Sequence, residues 1–369
     1  MQKEGNSTKY SRLKDYLKEE ILKGRIKPGE QIPSENSLAE KLSLSRHTVR
    51  KAVSMLAAEG YLITEHGRGT FCADRSKMRA ETKNIGVITT YISEYIFPRV
   101  IQGIDRVLSE NGYSIILKNT GNDTEKEAVY IEDMLDKNID GLIIEPTKSA
   151  LFSNNLELYD ALDRYGVPYV FIHGSYQRLE DKAQVVLDDT AGMYSAVEYL
   201  AKLGHKDIVG IFKADDIQGI NRHKGYARAL SEYNLPYNPD NVVWFHTEDR
   251  ETGPYAAIKS IFGSRSRVDA VACYNDEIAF RVLGTLTEMG ISVPNEVSVT
   301  GFDDSYFSSN SPVKLTTVNH PKDRLGEAAA QLLLDMLKDS ERIKNPIKKI
   351  IVPELVIKDS CISRNQAVK

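Results

Sequence analysis

Residues 33–71 read PSENSLAEKLSLSRHTVRKAVSMLAAEGYLITEHGRGTF, and this stretch decides the fold of the amino-terminal part of the chain. Ser34 is placed to cap a short helix that runs through Leu42, and Ser45 is placed to cap a second helix. The second helix carries apolar residues three and four apart, which share one face: Val49, Ala52, Val53 and Leu56. Two helices joined by a three-residue turn predict a helix-turn-helix, whose second helix lies in the major groove of DNA.

A preceding helix and a following hairpin complete this region. Residues 10–22 have an apolar side chain every four residues, which predicts a helix. The turn HGRG (66–69) separates the strand-like segments Tyr61–Thr64 and Thr70–Cys72. The tip of this hairpin offers two donors, His66 and Arg68. A wing of this kind is expected to contact the minor groove or the flanking phosphates.

The start of the second helix presents polar side chains on the face opposite its apolar stripe. The outward residues are Arg46, His47, Arg50 and Lys51. Arginine donates two hydrogen bonds to guanine, and Ser45 with the free helix amides suits a phosphate oxygen. The alternative is that these residues are solvated cations on an ordinary helical face. The helix alone leaves both interpretations open, and the adjoining wing favours DNA binding.

Composition separates the amino-terminal region from the rest of the chain. The 369 residues carry a net charge of −4, with 48 basic and 52 acidic side chains. Residues 1–75 hold a net charge of about +4 and the remainder about −8, a contrast typical of a nucleic-acid-binding module joined to another domain. Neither a secretory signal nor an apolar run long enough to span a membrane is evident, which indicates a cytoplasmic protein without membrane association. The three widely spaced cysteines give no disulfide framework or zinc pattern.

Beyond a polar segment at 73–83, the pattern changes to apolar strands alternating with helical segments. The predicted strands are 85–89, 114–117, 141–145, 168–172, 185–187, 208–212, 242–245, 270–273 and 297–302. Alternation of this kind predicts mostly parallel sheets covered on both faces. Nine strands are many for one sheet, so we expect two doubly wound lobes with ligands at the carboxyl ends of their strands.

The amino-terminal region resembles the winged helix-turn-helix of the GntR family, from PGEQIPSENSLAEKLSLSRHTVRKAVSMLAAEGYL to HGRGTF. The resemblance implies that Arg46 and Arg50 contact bases or adjacent phosphates, and that Thr48 and Lys9 anchor the DNA backbone. Glu35 is a candidate acceptor for cytosine N4. Its alternative role is a favourable interaction with the helix dipole.

The remainder, from about Asn84 to Asp359, resembles the LacI/GalR repressors and the periplasmic sugar-binding proteins of the same two-lobed type I fold. The matching strings include DGLIIEPTKSA, GINRHKGYARAL, VACYNDEIAFRVL and VSVTGFDDS. We therefore expect an α/β protein with three parts: a winged helix-turn-helix at 1–72 (the head), a linker at 73–83, and a two-lobed sugar-binding and dimerisation domain at 84–369 (the body).

Sugars need charged or amide partners for their hydroxyls and aromatic surfaces for their CH faces. Candidates at the ends of predicted strands are Tyr91, Glu94, Tyr95, Phe97, Glu145, His173, Tyr176, Asp188, Asn275 and Asp303, with Arg222 in a helix. The resemblance implies that Phe97 stacks on the sugar, that Arg222 clamps it, and that Asn275 and Asp303 bind its hydroxyls. Asp188 has the alternative role of capping a helix, and Tyr95 and Phe97 the alternative of filling the core.

The hybrid of these two parts resembles the L-arabinose-responsive repressors of Gram-positive bacteria, notably in ISEYIFP, IIEPTKSAL and CYNDEIA. This resemblance implies a homodimeric repressor that leaves operator DNA when L-arabinose binds, without a cofactor or metal. A regulator of another sugar or a nucleoside, and a sugar-acting enzyme with a DNA-binding head, are the alternatives. The sequence lacks the GxSxG, HExxH and Walker motifs, which disfavours an enzyme.

Overall fold

The structure is a computed structural model that describes residues 8–77, 80–93, 95–264, 268–339 and 341–364. The described chain divides into two compact units. The first comprises the described residues of Met1–Asn84, Glu125–Leu142 and Asn154–Pro168. The second comprises those of Ile85–Thr124, Ile143–Ser153 and Tyr169–Lys369. The first unit therefore joins the head to segments of the body.

The head has the predicted elements. Its helices and strands are α1 (Lys9–Leu22), α2 (Glu35–Lys41), α3 (Arg46–Ala58), β1 (Leu62–Glu65) and β2 (Gly69–Cys72). The two strands pair antiparallel, with Leu62 opposite Cys72. Both predicted caps form, because Ser34 Oγ accepts from Ser37 N and Ser45 Oγ accepts from Thr48 N. The apolar stripes of α1 and α3 are buried and form the core of the head.

The body begins with the elements of one lobe, here the N-lobe. In chain order they are β3 (Asn84–Thr89), α4 (Phe97–Glu110), β4 (Ser114–Asn119), α5 (Thr124–Asp136), β5 (Gly141–Ile144), α6 (Leu156–Arg164), β6 (Tyr169–Ile172) and β7 (Gln184–Leu187). A second lobe, here the C-lobe, then begins. Its elements are α7 (Asp189–Lys202), β8 (Ile208–Lys213), α8 (Ile217–Glu232), β9 (Val242–Phe245), α9 (Gly253–Ser264), β10 (Ala270–Cys273), α10 (Asp276–Glu288), β11 (Ser298–Asp303), α11 (Tyr306–Asn310) and β12 (Thr316–Asn319).

The last elements return to both lobes. They are α12 (Lys322–Lys338), α13 (Glu341–Lys344), β13 (Lys348–Ile351) and β14 (Leu355–Val356). Among the described residues, each lobe holds a six-stranded sheet, of order β13-β7-β6-β5-β3-β4 in the N-lobe and β14-β12-β11-β10-β8-β9 in the C-lobe. In the C-lobe β9, β8, β10, β11 and β12 pair parallel in succession, and β14 is antiparallel to β12. The two parallel-sheet lobes confirm the predicted fold class.

The sequence analysis did not predict three of the strands, which are β12, β13 and β14. The first is rich in threonine and the second begins with two lysines, so neither forms an apolar run. β13 and β14 are edge strands, where polar residues are tolerated because one side faces away from the sheet. The segment 73–83 contains a short 3₁₀ turn at Arg75–Lys77, with Arg75 buried.

Candidate effector site and nucleic-acid interface

The carboxyl ends of strands from both lobes meet at a cleft with about 1000 Å³ of empty space, including the part open to solvent. The N-lobe strands and the residues after them contribute Thr90, Tyr91, Tyr95, Phe97, Glu145, His173 and Leu187, and Asp189 is the first residue of α7. The C-lobe contributes Lys213, Asp216, Arg222, Phe245, Arg250, Tyr274, Asn275, Glu277, Asp303 and His320. A cleft at strand ends, lined by aromatic rings and converging polar groups, is the usual form of a small-molecule site.

Arg222 is the most strongly fixed polar group in this cleft. Its guanidinium is buried and donates to Asp189 Oδ1 at 2.8 Å, the Tyr274 carbonyl at 2.7 Å and Asp303 Oδ1 at 3.4 Å. The Phe302 ring centroid lies 3.6 Å from Cζ. Burial raises the pKa of Asp189 to about 6, although Arg222 beside it lowers that pKa. The arginine therefore holds two carboxylates in place at the floor of the cleft.

A buried chain of titratable groups forms the N-lobe side. The Glu145 carboxylate accepts from the Thr90 amide at 2.9 Å, the Thr90 hydroxyl at 2.5 Å and His173 Nδ1, which lies 2.9 Å away. His173 Nε2 is 3.2 Å from His320 Nε2, so one imidazole donates to the other. Burial opposes ionisation of Glu145, but His173 and the Thr90 hydrogen bonds outweigh it and lower the pKa of Glu145. Burial, followed by the neighbouring His173, holds the pKa of His320 well below its ordinary value, so His320 is neutral at pH 7.

Aromatic rings form a second wall. The Tyr91 and Phe97 ring centroids are 5.7 Å apart, and Phe97 meets His173 edge-on at 6.0 Å. Tyr95 connects the lobes, because its hydroxyl donates to the Phe302 carbonyl at 3.0 Å and accepts from the Asp276 amide at 3.1 Å.

Several cleft residues have a strained backbone. Positive φ values occur at Tyr95 (60°), His173 (64°) and Asp303 (96°). Residues other than glycine adopt this region at a cost, and such strain concentrates at functional sites. The strain is consistent with side chains held in fixed directions for a ligand.

The structure brings eight of the predicted ligand residues together in the cleft. They are Tyr91, Tyr95, Phe97, Glu145, His173, Arg222, Asn275 and Asp303. Asn275 also caps α10, since its Oδ1 accepts from the Ile278 amide at 3.0 Å. Glu94 lies outside the described residues.

Two expected positions need correction. Asp188 does not line the cleft, because its side chain caps α7 by accepting from the Ala191 amide at 2.8 Å. The next residue, Asp189, points into the cleft instead. Tyr176 is buried away from the cleft, and its hydroxyl donates to the Thr147 carbonyl at 2.8 Å. The Asp188 cap is the alternative role that the sequence offered for this residue, whereas the sequence gave no sign of the Tyr176 hydrogen bond.

Sequence reasoning also missed cleft residues. The principal ones are Asp189, Lys213, Asp216, Arg250, Tyr274 and His320. Lys213 and Asp216 lie in KADD, at the carboxyl end of β8, so their position was a usable signal. Arg250 lies in the loop before α9. It does not directly follow a strand, so the rule that ligands bind at strand ends did not identify it.

On the head, three predicted DNA-contacting residues of α3 are exposed and Thr48 is half-buried. Arg46 and His47 face solvent, and the Arg50 side chain is 69% exposed. Arg50 Nε donates to Glu35 Oε2 at 3.0 Å, which links α3 to the start of α2. Ser45 and Thr48 share a hydroxyl hydrogen bond at 2.8 Å in addition to the cap. The structure therefore joins four of the predicted residues in two pairs.

The wing and α1 present the other predicted contacts. His66 is exposed at the tip, and Arg68 Nη1 lies 2.5 Å from Glu65 Oε2. Lys9 is exposed at the first residue of α1. The wing is held to the chain before α2, since Gln31 Nε2 donates to the Arg68 carbonyl at 2.9 Å.

Two other kinds of feature are absent from the described ranges. No group of His, Cys, Asp or Glu residues there is arranged to hold a metal ion. No described helix combines the length and apolar character needed to cross a membrane.

Comparison with known proteins agrees with both parts of the structure. The model of bacterial regulatory proteins of the gntR family matches residues 9–72, and that of the periplasmic binding protein-like domain matches residues 197–361. A LacI family transcriptional regulator from Enterococcus faecium, solved with bound ribose, is 26% identical, has a TM-score of 0.64, and is matched over 76% of this chain and 99% of its own. The fold and the sites thus define a DNA-binding transcriptional regulator with a GntR-type head and a LacI-type sugar-binding body.

Two curated relatives match nearly the whole chain. An arabinose metabolism transcriptional repressor of Halalkalibacterium halodurans is 41% identical over 96% of this chain and 96% of its own length. One of Geobacillus stearothermophilus is 39% identical over 97% of this chain and 99% of its own. The chain belongs to this family of transcriptional repressors.

Proposed function

We propose that this protein represses arabinose-utilisation genes as a homodimer and leaves its operator when L-arabinose binds in the cleft between the lobes. The proposal also covers the domain limits given above, with the head at 1–72 and the body from residue 84. The observation that supports this proposal best is the lining of the cleft. It combines Arg222, bound to Asp189 and Asp303, with the aromatic rings of Tyr91 and Phe97. That combination suits a polar ring with hydroxyls on its edge and CH groups on its faces.

The charges in the cleft favour a neutral sugar over a phosphorylated one. Among its described lining residues, five are acidic and three are lysine or arginine. Arg222 is engaged by two carboxylates and Lys213 Nζ lies 3.1 Å from Asp216 Oδ2, so both cations are already paired. A phosphate would meet an excess of carboxylates, whereas sugar hydroxyls donate readily to them.

For DNA release, sugar binding must favour one arrangement of the lobes. A ligand shifts such an equilibrium only by its different affinity for the two states. A ligand held between the lobes contacts both only when they are closed, which supplies that difference. In a dimer with two heads on a two-fold operator, a changed lobe arrangement alters how well both heads fit their half-sites.

No chemical step is assigned to the cleft. Arg222, Asp189 and Asp303 satisfy one another, and Glu145 is engaged by Thr90 and His173. These are groups arranged to hold a ligand. We therefore propose that the sugar leaves unchanged, and incubation with the protein followed by chromatography should recover it quantitatively.

The binding experiment compares two adjacent carboxylates. Asp303→Asn removes a charged acceptor in the cleft, whereas Asp304→Asn changes a carboxylate that bonds Lys358 at 2.7 Å and does not line the cleft. Calorimetry with L-arabinose is expected to show at least a tenfold loss of affinity for Asp303→Asn, since a charge-assisted hydrogen bond is worth about 1.5–3 kcal/mol. Asp304→Asn should bind within twofold of the wild type.

Further experiments test which ligand binds, whether that ligand releases DNA, and whether the protein is a dimer. D-Ribose, D-xylose and a nucleoside should bind more weakly than L-arabinose in the same titration. L-Arabinose should release wild-type protein from operator DNA in a mobility-shift assay, and sedimentation should give a dimer. Tighter binding of another compound, or equal operator binding with and without L-arabinose, would contradict the proposal.

A further inference from the structure

Arg75, in the segment after the head, is a buried cation at the end of a body helix. Only 6% of the residue is exposed, and its Nη2 donates to the Leu135 carbonyl and to Asn138 Oδ1, each at 2.7 Å. Since α5 ends at Asp136, the Leu135 carbonyl is one of the last four in that helix, and it also accepts from the Asn138 amide, just beyond the helix, at 3.1 Å. Arg75 thus caps the carboxyl end of α5, where the helix dipole favours a positive charge.

The Arg75 guanidinium also contacts two tyrosines. Its Cζ lies 4.3 Å from the ring centroid of Tyr61, in the head, and 5.3 Å from that of Tyr165, directly after α6. The Tyr61 hydroxyl donates to Asp136 Oδ1 at 2.7 Å, and Lys18 Nζ of α1 bonds Asp136 Oδ2 at 2.6 Å. Ring stacking on Arg75 and charge-assisted hydrogen bonds to the neighbouring Asp136 together favour a fixed geometry.

A second arginine makes the reciprocal contact. Arg164, the last residue of α6, donates from Nη2 to the carbonyl of Leu22, the last residue of α1. The head-side arginine therefore caps a body helix, and the body-side arginine caps a head helix. Nearby, Lys23 Nζ lies 3.6 Å from Glu157 Oε2.

The far end of the connecting segment is also fixed. The Asp140 carboxylate accepts from the Thr82 amide at 3.0 Å and the Lys83 amide at 2.7 Å. Meanwhile Arg46, His47 and Arg50 are exposed. The head is thus held through the surface formed by α1, Tyr61 and Arg75, while the residues proposed to contact DNA face solvent.

We infer that α5, α6 and the residues directly after them form a seat that locks the head by exchanged arginine caps, so that the head moves with these helices. The partner surface is this chain's own winged head, fixed in a form that leaves its DNA-contacting face open. A freely hinged head would need no buried arginine at 75 and no cap from Arg164. The seat follows the cleft along the chain, since Asn122 lines the cleft and α5 begins at Thr124.

The consequence for regulation rests on the proposed function. Asn122 is held in the cleft wall, because its Oδ1 accepts from the Lys148 amide at 3.0 Å and its Nδ2 donates to Thr247 Oγ1 at 2.5 Å. A sugar that changes this wall acts on the segment that leads directly into α5. The seat then transmits that change to the head. A flexible linker in its place would not transmit the change.

Hydrogen–deuterium exchange of the full-length protein tests the seat without sugar or DNA. Arg75→Ala should speed exchange at least tenfold in peptides covering 18–24, 61–77 and 132–140, with 208–213 unchanged. Lys77→Ala is the matched control, because this lysine lies in the same turn, is 82% exposed and pairs only locally with Asp74. It should exchange like the wild type.

A second variant distinguishes loss of the seat from general destabilisation of the fold by Arg75→Ala. Arg164→Met keeps an unbranched apolar stem but removes the cap on α1, and it should speed exchange in 18–24 and 61–77. Wild-type exchange in both Arg75→Ala and Arg164→Met would overturn the seat.

Calorimetry and a mobility-shift assay then test transmission. Arg75→Ala should bind L-arabinose within twofold of the wild type, while the ratio of operator affinities without and with sugar falls at least fivefold. An unchanged ratio in a variant whose head is loosened would overturn transmission through the seat. If the wild type itself shows no sugar effect on DNA, the proposed function fails, and the exchange experiment still decides whether the seat exists.

Discussion

Arg50 shows how the structure changes the meaning of a single residue. Sequence patterns gave Arg50 and Glu35 separate contacts with DNA. The structure pairs them, with Arg50 Nε donating to Glu35 at 3.0 Å while the side chain stays 69% exposed. We propose that Glu35 orients Arg50, while a contact between Glu35 and cytosine N4 stays a prediction. The terminal nitrogens of the guanidinium are the groups that read guanine.

Replacing Arg50 therefore tests base reading by α3. Arg50→Ala should weaken operator binding at least tenfold, because each bidentate contact is worth about 1–3 kcal/mol. Its sugar affinity should stay within twofold of the wild type. Arg228→Ala is the control, since Arg228 is an exposed arginine of α8 that also pairs with a glutamate, Glu232. If both variants bind the operator equally well in a fluorescence anisotropy titration, α3 does not read the operator through Arg50.

At the scale of elements, close packing of helices fixes the C-lobe. α7 and α8 cross so tightly at Gly225 that an added Cβ would overlap the Thr190 carbonyl oxygen and lie 2.8 Å from the Tyr194 amide nitrogen. Arg222 is one turn earlier on α8, so this contact also sets the position of the guanidinium in the cleft. The sequence showed a glycine three residues after Arg222, but not the backbone that it must accommodate.

A pair of glycine substitutions measures that packing. Gly225→Ala should lower the free energy of unfolding by about 1–3 kcal/mol, because α7 and α8 must separate to accommodate the methyl group. Gly284→Ala, in α10 where an added Cβ meets nothing within 4 Å, should raise it by about 0.5–1 kcal/mol through helix propensity. Urea denaturation distinguishes the two. Equal effects would show that the crossing of α7 and α8 tolerates a methyl group.

At the scale of the whole molecule, charge separates the two activities. The chain is acidic overall, with a net charge of −4, but its basic surplus is concentrated in the first 75 residues. DNA binding by such a region releases counterions, and each phosphate contact contributes about −0.9 to the slope of log affinity against log salt. The sugar cleft has a neutral ligand in the proposed function, so its affinity should depend little on salt.

Raising salt from 50 to 200 mM should therefore affect only one activity strongly. With only four phosphate contacts, operator affinity is expected to fall about 100-fold over this range. L-Arabinose affinity measured by calorimetry in the same buffers should change less than twofold. A sugar affinity that falls as steeply as operator affinity would indicate a charged effector and contradict the proposed neutral ligand.

The sequence by itself determined the winged head, the alternation of strands and helices, and eight of the cleft residues, because these depend on local signals. Serine caps, apolar periodicity and polar residues after apolar strands are written within a few neighbouring positions. Only the tertiary structure decided that Asp189 rather than Asp188 enters the cleft, that Glu35 holds Arg50, and that Arg75 caps a body helix while Arg164 caps a head helix. These depend on side chains brought together from distant parts of the chain, where burial and unpaired backbone groups select the partner and sequence spacing carries no information.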